Sequence, residues 1–118
     1  MQTLTSIYKL LSDETRLRLL ILLYQEPLCV CELVGILNVP QPRISKNLAK
    51  FRDLGLVTDE RRDKYVYYTL KKDHLMLMHH LSFILDHLES YPDFKEDILN
   101  LKDKSKYLTT CQPVVNIQ

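Results

Sequence analysis

The stretch of sequence that decides the fold is LCVCELVGILNVPQPRISKNLAKFRDLG, residues 28–55. Apolar residues recur at helical spacing in both of its halves, and the Asn-Val-Pro sequence at 38–40 separates the halves as a turn. Gly55 stands where a glycine commonly ends a helix. The stretch therefore predicts a short helix that begins at about residue 29 or 31 and ends at 37, a turn, and a second helix over 41–54.

Two more helices are predicted ahead of this stretch. The first is marked by apolar residues at i, i+3, i+4 and i+7, namely Leu4, Ile7, Tyr8 and Leu11. Ser12 is suited to cap the second helix, which runs through the apolar residues 17–24 and ends before Pro27.

A hairpin and two helices are predicted after the stretch. Residues 56–58 and 65–70 are rich in β-branched and aromatic side chains and flank a charged turn at 61–64, as two strands do. A long helix follows over about 73–90, and Pro92 is suited to begin a last one. We expect one domain over residues 1–104, with 105–118 as a C-terminal tail.

The composition argues against a membrane-spanning or a secreted, disulfide-rich protein. The 118 residues are 46% hydrophobic and 26% charged, which is typical of a soluble globular domain. The longest apolar run, at 19–24, is too short to span a bilayer, and no signal peptide is apparent. Three cysteines, an odd number, favour reduced thiols in the cytoplasm over a disulfide framework.

The charge is unevenly distributed along the chain. The net charge of +1 argues against non-specific coating of nucleic acid. Residues 41–64, however, contain seven basic side chains against four acidic ones. A local basic surface on a nearly neutral protein suits a regulator that binds DNA and must also release it.

A short helix, a turn, a second helix and a two-stranded wing together make up a winged helix-turn-helix. On these elements the chain resembles the ArsR/SmtB family of small dimeric repressors over roughly residues 5–90. The resemblance rests on five motifs in order, SDETRL (12–17), LCVCEL (28–33), QPRISKNL (41–48), LGLV (54–57) and YYTL (67–70).

The resemblance implies a mainly α fold with a small two-stranded β-wing, in the order α-α-α-α-β-β-α. The helix at 73–90 is apolar on more than one side, so it needs a partner beyond its own domain. We expect a homodimer built from the helices at 4–11 and 73–90.

The helix at 41–54 is the candidate DNA-recognition helix. Its N-terminal end is the part that usually enters the major groove in helix-turn-helix proteins. Gln41 is suited to pair with adenine and Arg43 with guanine, and the other polar groups are suited to phosphates. The candidate set on this helix is Gln41, Pro42, Arg43, Ser45, Lys46, Asn47 and Lys50.

The wing adds Arg61, Arg62 and Lys64, which suit backbone or minor-groove contact. A charged hairpin tip without a DNA role is the alternative for these three residues. Two positions depart from the family pattern, because Asn47 stands where histidine is frequent and Pro40 replaces a hydroxyl N-cap.

Cys29 and Cys31 are candidate ligands for an ion, because thiolates select soft, thiophilic ions over calcium or magnesium. Residues i and i+2 of a regular helix point about 200° apart, so holding one ion there requires the first turn to open. A position near a helix N-terminus is also expected to favour the thiolate. In the family, Cys-x-Cys at this place marks arsenic(III) or antimony(III) sensing, and a related pattern marks cadmium or lead sensing.

The sequence does not identify the third thiol ligand of the ion. Val34 occupies the position of the third cysteine of the best-known arsenical repressors. Cys111 is one candidate, and a cellular thiol is the other. The zinc sensors of the family use a pattern on the long helix that His74, His79, His80 and His87 do not reproduce, so we expect these histidines to be solvated or packed.

The sequence thus indicates a cytoplasmic transcriptional repressor that binds an inverted repeat in double-stranded operator DNA. Arsenite or antimonite is the expected inducer, and no membrane partner or catalytic cofactor is expected. The alternatives within this fold are a cadmium- or lead-responsive and a thiol-redox-responsive repressor. A thiol oxidoreductase and a protein-interaction module are alternatives from other classes. We expect no enzyme, because no nucleophile–base pair, phosphate loop or carboxylate dyad is apparent.

Overall fold

The computed structural model describes residues 4–109, and within them the mainly helical winged helix-turn-helix prediction is confirmed. The helices are α1 (Leu4–Leu11), α2 (Glu14–Gln25), α3 (Val30–Leu37), α4 (Gln41–Asp53), α5 (Leu75–Asp86) and α6 (Pro92–Leu101). The strands are β1 (Leu28–Cys29), β2 (Val57–Arg62) and β3 (Tyr65–Leu70). Short 3-10 helices cover Leu88–Ser90 and Lys104–Thr109.

The sheet has one strand more than the sequence predicted. Its antiparallel strands lie in the order β1-β3-β2, so β3 is central and β1 forms an edge. Strand β1 pairs Leu28 with Tyr68 and Cys29 with Tyr67. The predicted two-stranded wing is confirmed in β2 and β3. Strand β1 was not predicted, because two residues are too few to show a strand periodicity.

Strands β2 and β3 form the wing, which we define as residues 57–70. Strand β2 continues to Arg62 rather than ending at Thr58, because its exposed charged residues still pair with β3 across the sheet. Asp63 has φ 62° in the turn, as expected of an aspartate that tolerates the left-handed region.

Two helix ends differ from the prediction. Asp13, not Ser12, caps α2, and its carboxylate accepts a hydrogen bond from Arg16 N–H at 3.0 Å. The Ser12 hydroxyl instead donates to the Lys9 carbonyl, which ends α1. Helix α5 ends at Asp86, and a 3-10 turn follows where the prediction continued the helix to residue 90.

The core lies between α2, α3 and α4 and the inner side of the wing. Helix α4 contributes Ile44, Leu48 and Phe51, each 0% exposed, and α2 buries the run 19–23. This burial fixes the rotation of α4, because the same three residues form its apolar stripe. The opposite side of α4 is thereby held toward solvent.

The 3-10 helix at Lys104–Thr109 packs against α3. A Cβ atom at Gly35 would overlap the ring of Tyr107, so the absence of a side chain at position 35 permits this contact. Lys104 pairs with Glu26, and the Tyr65 hydroxyl donates to the Leu108 carbonyl at 3.3 Å. The domain boundary at residue 104 stays a prediction.

None of the helices between residues 4 and 109 has the length and apolar character needed to cross a bilayer.

Helices α1 and α5 share an exposed apolar face. Its large members are Leu4, Tyr8, Leu75, Met76 and Phe83, which are 53%, 48%, 81%, 39% and 49% exposed. Tyr8 of α1 contacts His80 of α5 with ring centroids 5.4 Å apart, so the two helices form a continuous surface. Such a face is typical of an interface with a second copy.

We predict that Phe83→Glu converts the protein from dimer to monomer at micromolar concentration, because the carboxylate would be desolvated in an apolar interface. Analytical ultracentrifugation measures the change. Leu99→Glu is the matched control, since Leu99 is 52% exposed but lies on α6. A monomeric unsubstituted protein, or equal effects of the two substitutions, would contradict the interface.

Candidate DNA interface and thiol site

The N-terminal end of α4 is open to solvent. Its N-cap, Pro40, makes no side-chain cap hydrogen bond, and Pro42 lies in the first turn. Gln41, Pro42 and Arg43 are all exposed there. The uncapped amide groups of a helix start attract anions, so this end is suited to a phosphate backbone.

The polar side chains of α4 fall into two groups. Arg43, Lys46 and Lys50 are exposed. Gln41 Nε2 donates to Ser45 Oγ at 2.6 Å, and Asn47 Nδ2 donates to the Arg43 carbonyl at 3.1 Å. To contact a base, Gln41 must therefore give up its hydrogen bond to Ser45, and Asn47 must give up its hydrogen bond to the Arg43 carbonyl.

The wing carries its basic residues at its tip, where Arg61, Arg62 and Lys64 are exposed. Arg52 of α4 pairs with Asp59 of β2 at 3.1 Å, which ties the wing to the recognition helix. The structure thus places the basic residues predicted on α4 and those predicted on the wing in neighbouring, directly connected elements.

Cys29 and Cys31 lie at the junction of β1 and α3, and we call this pair the thiol site. Cys29 is the N-cap of α3 with extended backbone (φ −98°, ψ 169°), and Cys31 lies in the first helical turn. Both are buried, with 1% and 3% exposure. Cys29 thus precedes the helix and only Cys31 lies within it, and the expectation that the first turn must open to hold one ion stays a prediction.

Glu32 is the closest charged neighbour of Cys29. Its carboxylate is 2% exposed and accepts a hydrogen bond from Cys29 N–H at 3.1 Å. It occupies the third helical position, where a glutamate commonly reaches back to the N-cap residue. The sequence analysis missed Glu32, although this spacing was a signal that could have found it.

The expectation of a thiolate at Cys29 is wrong for this structure. The pKa of Cys29 is raised from 9.0 to about 11, chiefly by burial and also by the Glu32 carboxylate. Backbone N–H groups of Glu32 and Cys31 that point to the sulfur lower the pKa, but burial outweighs them. Cys29 is therefore a neutral thiol at physiological pH.

Tyr67 lies across the sheet from Cys29 in register. Its pKa is raised first by burial, and also by Glu32 and by the Cys29 side chain. No feature of the sequence indicated that Tyr67 lies beside Cys29, because this proximity arises from the pairing of β1 with β3.

A cavity of about 560 Å³ opens beside the thiol site, between the wing and the C-terminal 3-10 helix. Glu32 and Tyr67 form its inner wall, and its rim includes Arg62, Tyr65, Lys104 and Leu108. The neighbours of Cys29 can thus be reached from solvent.

Residues 4–109 contain no group of three or more His, Cys, Asp or Glu side chains placed to hold a metal ion. Cys29 is a free, buried cysteine. The third candidate ligand, Cys111, lies outside the described residues. Two histidines of the long helix have local structural contacts. His74 Nδ1 accepts from Leu77 N–H at 3.3 Å as the cap of α5, and His87 Nδ1 lies 2.8 Å from the Phe83 carbonyl oxygen.

Residues 13–59 match the family model described as "Bacterial regulatory protein, arsR family". The arsenic resistance transcriptional regulator ArsR1 of Pseudomonas putida is 45% identical over 65 residues, which are 54% of this chain and 51% of that protein. The cadmium resistance regulatory protein CadC of Listeria innocua is 31% identical over 82% of this chain and 75% of its own length.

Among solved structures, reduced HlyU from Vibrio cholerae is similar, with a TM-score of 0.59 and 31% identity. That match covers 66% of this chain and 80% of HlyU. The chain spans only about half the length of the P. putida regulator.

The buried thiol leads to a prediction about stability and pH. The folded-state pKa of Cys29 lies above its ordinary value of 9.0, so the neutral thiol stabilises the fold below about pH 9. That contribution, about 2 to 3 kcal/mol, is lost as the pH rises from about 9 through about 11. We expect the unfolding free energy in urea, under reducing conditions, to fall more steeply over this range than that of Cys29→Ser. Parallel curves for the two proteins would contradict the assignment.

Proposed function

This chain belongs to the ArsR family of transcriptional regulators, and on that premise we propose that it is an operator-binding repressor induced by arsenite or antimonite. Cys29 and Cys31 bind the inducer, and operator DNA is released. The observation that carries the proposal is the position of the thiol site, which begins α3 and is followed directly by the exposed recognition helix.

The path from the thiol site to α4 is short. Helices α3 and α4 pack against each other and are joined by a turn in which Asn38 has φ 56°. An ion that draws the Cys29 and Cys31 sulfurs together displaces the first turn of α3. Because packed helices move as units, the displacement reaches α4 and the DNA surface.

The neutral state of Cys29 favours trivalent arsenic over a divalent cation. Arsenous acid condenses with thiols, forming one As–S bond and releasing one water for each thiol, so no proton passes to solvent. A divalent ion such as cadmium must instead expel the thiol protons, which the raised pKa of Cys29 opposes at neutral pH. The cadmium/lead and thiol-redox alternatives use the same cysteines, and titration with cadmium or peroxide separates them from arsenite.

The packing of the C-terminal 3-10 helix supports Cys111 as the third thiol ligand. Cys31 and Gly35 are four residues apart on α3, on one face and about 6 Å from each other along the axis. The Tyr107 ring lies against Gly35. Cys111 follows Tyr107 by four residues, which span at most about 14 Å. That reach is sufficient to bring its sulfur to the thiol site.

On the DNA side, we propose a homodimer that places the two α4 helices in successive major grooves of an inverted repeat. Arg43 reads guanine, and Gln41 and Asn47 contact bases after exchanging their bonds within the helix. Pro42 contacts the wall of the major groove. The residues that contact phosphates are Ser45, Lys46, Lys50, Arg61, Arg62 and Lys64.

We expect Arg43→Ala to weaken operator binding by about 1–3 kcal/mol and to relax sequence preference, because a base contact is lost. Lys46→Ala is the matched control, and it should weaken all DNA sequences alike and reduce the salt dependence. Fluorescence anisotropy with operator and scrambled DNA makes the comparison. If Arg43→Ala behaves like Lys46→Ala, Arg43 does not read a base.

We expect Cys29→Ser and Cys31→Ser to keep operator binding within about twofold and to abolish release by arsenite, because one thiol cannot hold the ion. Cys111→Ser should weaken the response without abolishing it, since a small thiol from solution can replace the third ligand. Anisotropy under reducing conditions, titrated with arsenite, measures all three variants. A doubly substituted Cys29/Cys31 serine protein that still releases DNA at the same arsenite concentration would exclude the proposal.

A further inference from the structure

Tyr67 connects the thiol site to the wing through three contacts on one face of the sheet. It is the cross-strand partner of Cys29, and directly opposed residues of antiparallel strands project from the same face. The Cys29 side chain is also one of the groups that raise the pKa of the Tyr67 hydroxyl. On its other side Tyr67 is the partner of Glu60 on β2.

The Tyr67 ring also contacts a basic residue of the wing. The Arg62 guanidinium lies over this ring, 5.0 Å from its centroid, and pairs with Glu60 at 3.4 Å. Arg62 is one of the exposed residues assigned to the DNA backbone. Cys29, Tyr67 and Arg62 therefore form a continuous row from the buried thiol to the tip of the wing.

The neighbouring tyrosine lies on the opposite face. Tyr68 is paired with Leu28 on one side and Asp59 on the other, and Asp59 forms the ion pair with Arg52 of α4. Tyr68 thus shares the strand and the residue type of Tyr67 but does not share its contacts with Cys29 and Arg62.

We propose that Tyr67 transmits inducer binding at Cys29 to the wing, as a second route beside the displacement of α3. The inference rests on the proposed function. Formation of the As–S bond takes the thiol proton away as part of a water molecule and places a bulky group on the sulfur of the residue that is paired with Tyr67 across the sheet. The ring must shift, and the cavity beside it provides the space.

The consequences for the wing follow from the row of contacts. When the Tyr67 ring shifts, the Arg62 guanidinium loses its contact with the ring. Arg62 is then no longer positioned to contact a phosphate. The pairing of β1 with β3 is also easily perturbed, because β1 is two residues long. Tyr67 is in this account a positioning residue, which neither binds the inducer nor contacts DNA.

The test compares Tyr67→Phe with Tyr68→Phe as the matched control. Two quantities are measured for each protein under reducing conditions. The first is the number of thiols that arsenite protects from a thiol-reactive dye. The second is the ratio of operator dissociation constants with and without saturating arsenite.

We expect Tyr67→Phe to protect as many thiols as the unsubstituted protein and to bind operator equally well without arsenite. Its ratio of dissociation constants should be smaller by about fivefold or more, because one coupling route is lost. Tyr68→Phe should keep the full ratio.

An unchanged ratio for Tyr67→Phe would overturn the inference and leave the proposed function intact. Loss of thiol protection in Tyr67→Phe would overturn it too, because Tyr67 would then belong to the inducer site. If the unsubstituted protein does not release DNA with arsenite, the proposed function itself fails, and the inference fails with it.

Discussion

Cys29 is both the last residue of β1 and the N-cap of α3, and this shared position constrains the sheet and the helix together. It ends β1, where it pairs with Tyr67, and it caps α3, where Glu32 accepts its N–H. The sheet and the helix that precedes the recognition helix are therefore joined at a single residue. In the proposed mechanism, a ligand on that residue therefore acts on both the wing and α3.

The same burial that holds this junction together determines what it can bind. Burial beside Glu32 makes the neutral thiol the stable form of Cys29, so a divalent ion must expel a proton against a raised pKa. Arsenous acid avoids that cost because each thiol proton leaves as water. A buried, protonated thiol is thus compatible with the proposed inducer, although a position near a helix N-terminus generally favours a thiolate.

Local patterns in the sequence were sufficient to predict most of the helices and the wing. The spacing of Ile44, Leu48 and Phe51, with Gly55 behind them, predicted α4 to within one residue. Strand β1 was missed because two residues carry no periodicity, and the proximity of Tyr67 to Cys29 follows from pairing between distant segments. The raised pKa of Cys29 could not be predicted either, since the general preference of a helix start for an anion is outweighed here by burial.

The central claim is that occupancy of the thiol site and occupancy of the operator oppose each other. Linkage requires this opposition to be reciprocal, so the most direct measurement is the arsenite affinity of the reduced dimer with and without saturating operator DNA. We expect weaker arsenite binding in the presence of operator, by the same factor by which arsenite weakens operator binding. Equal arsenite affinities with and without operator would contradict it.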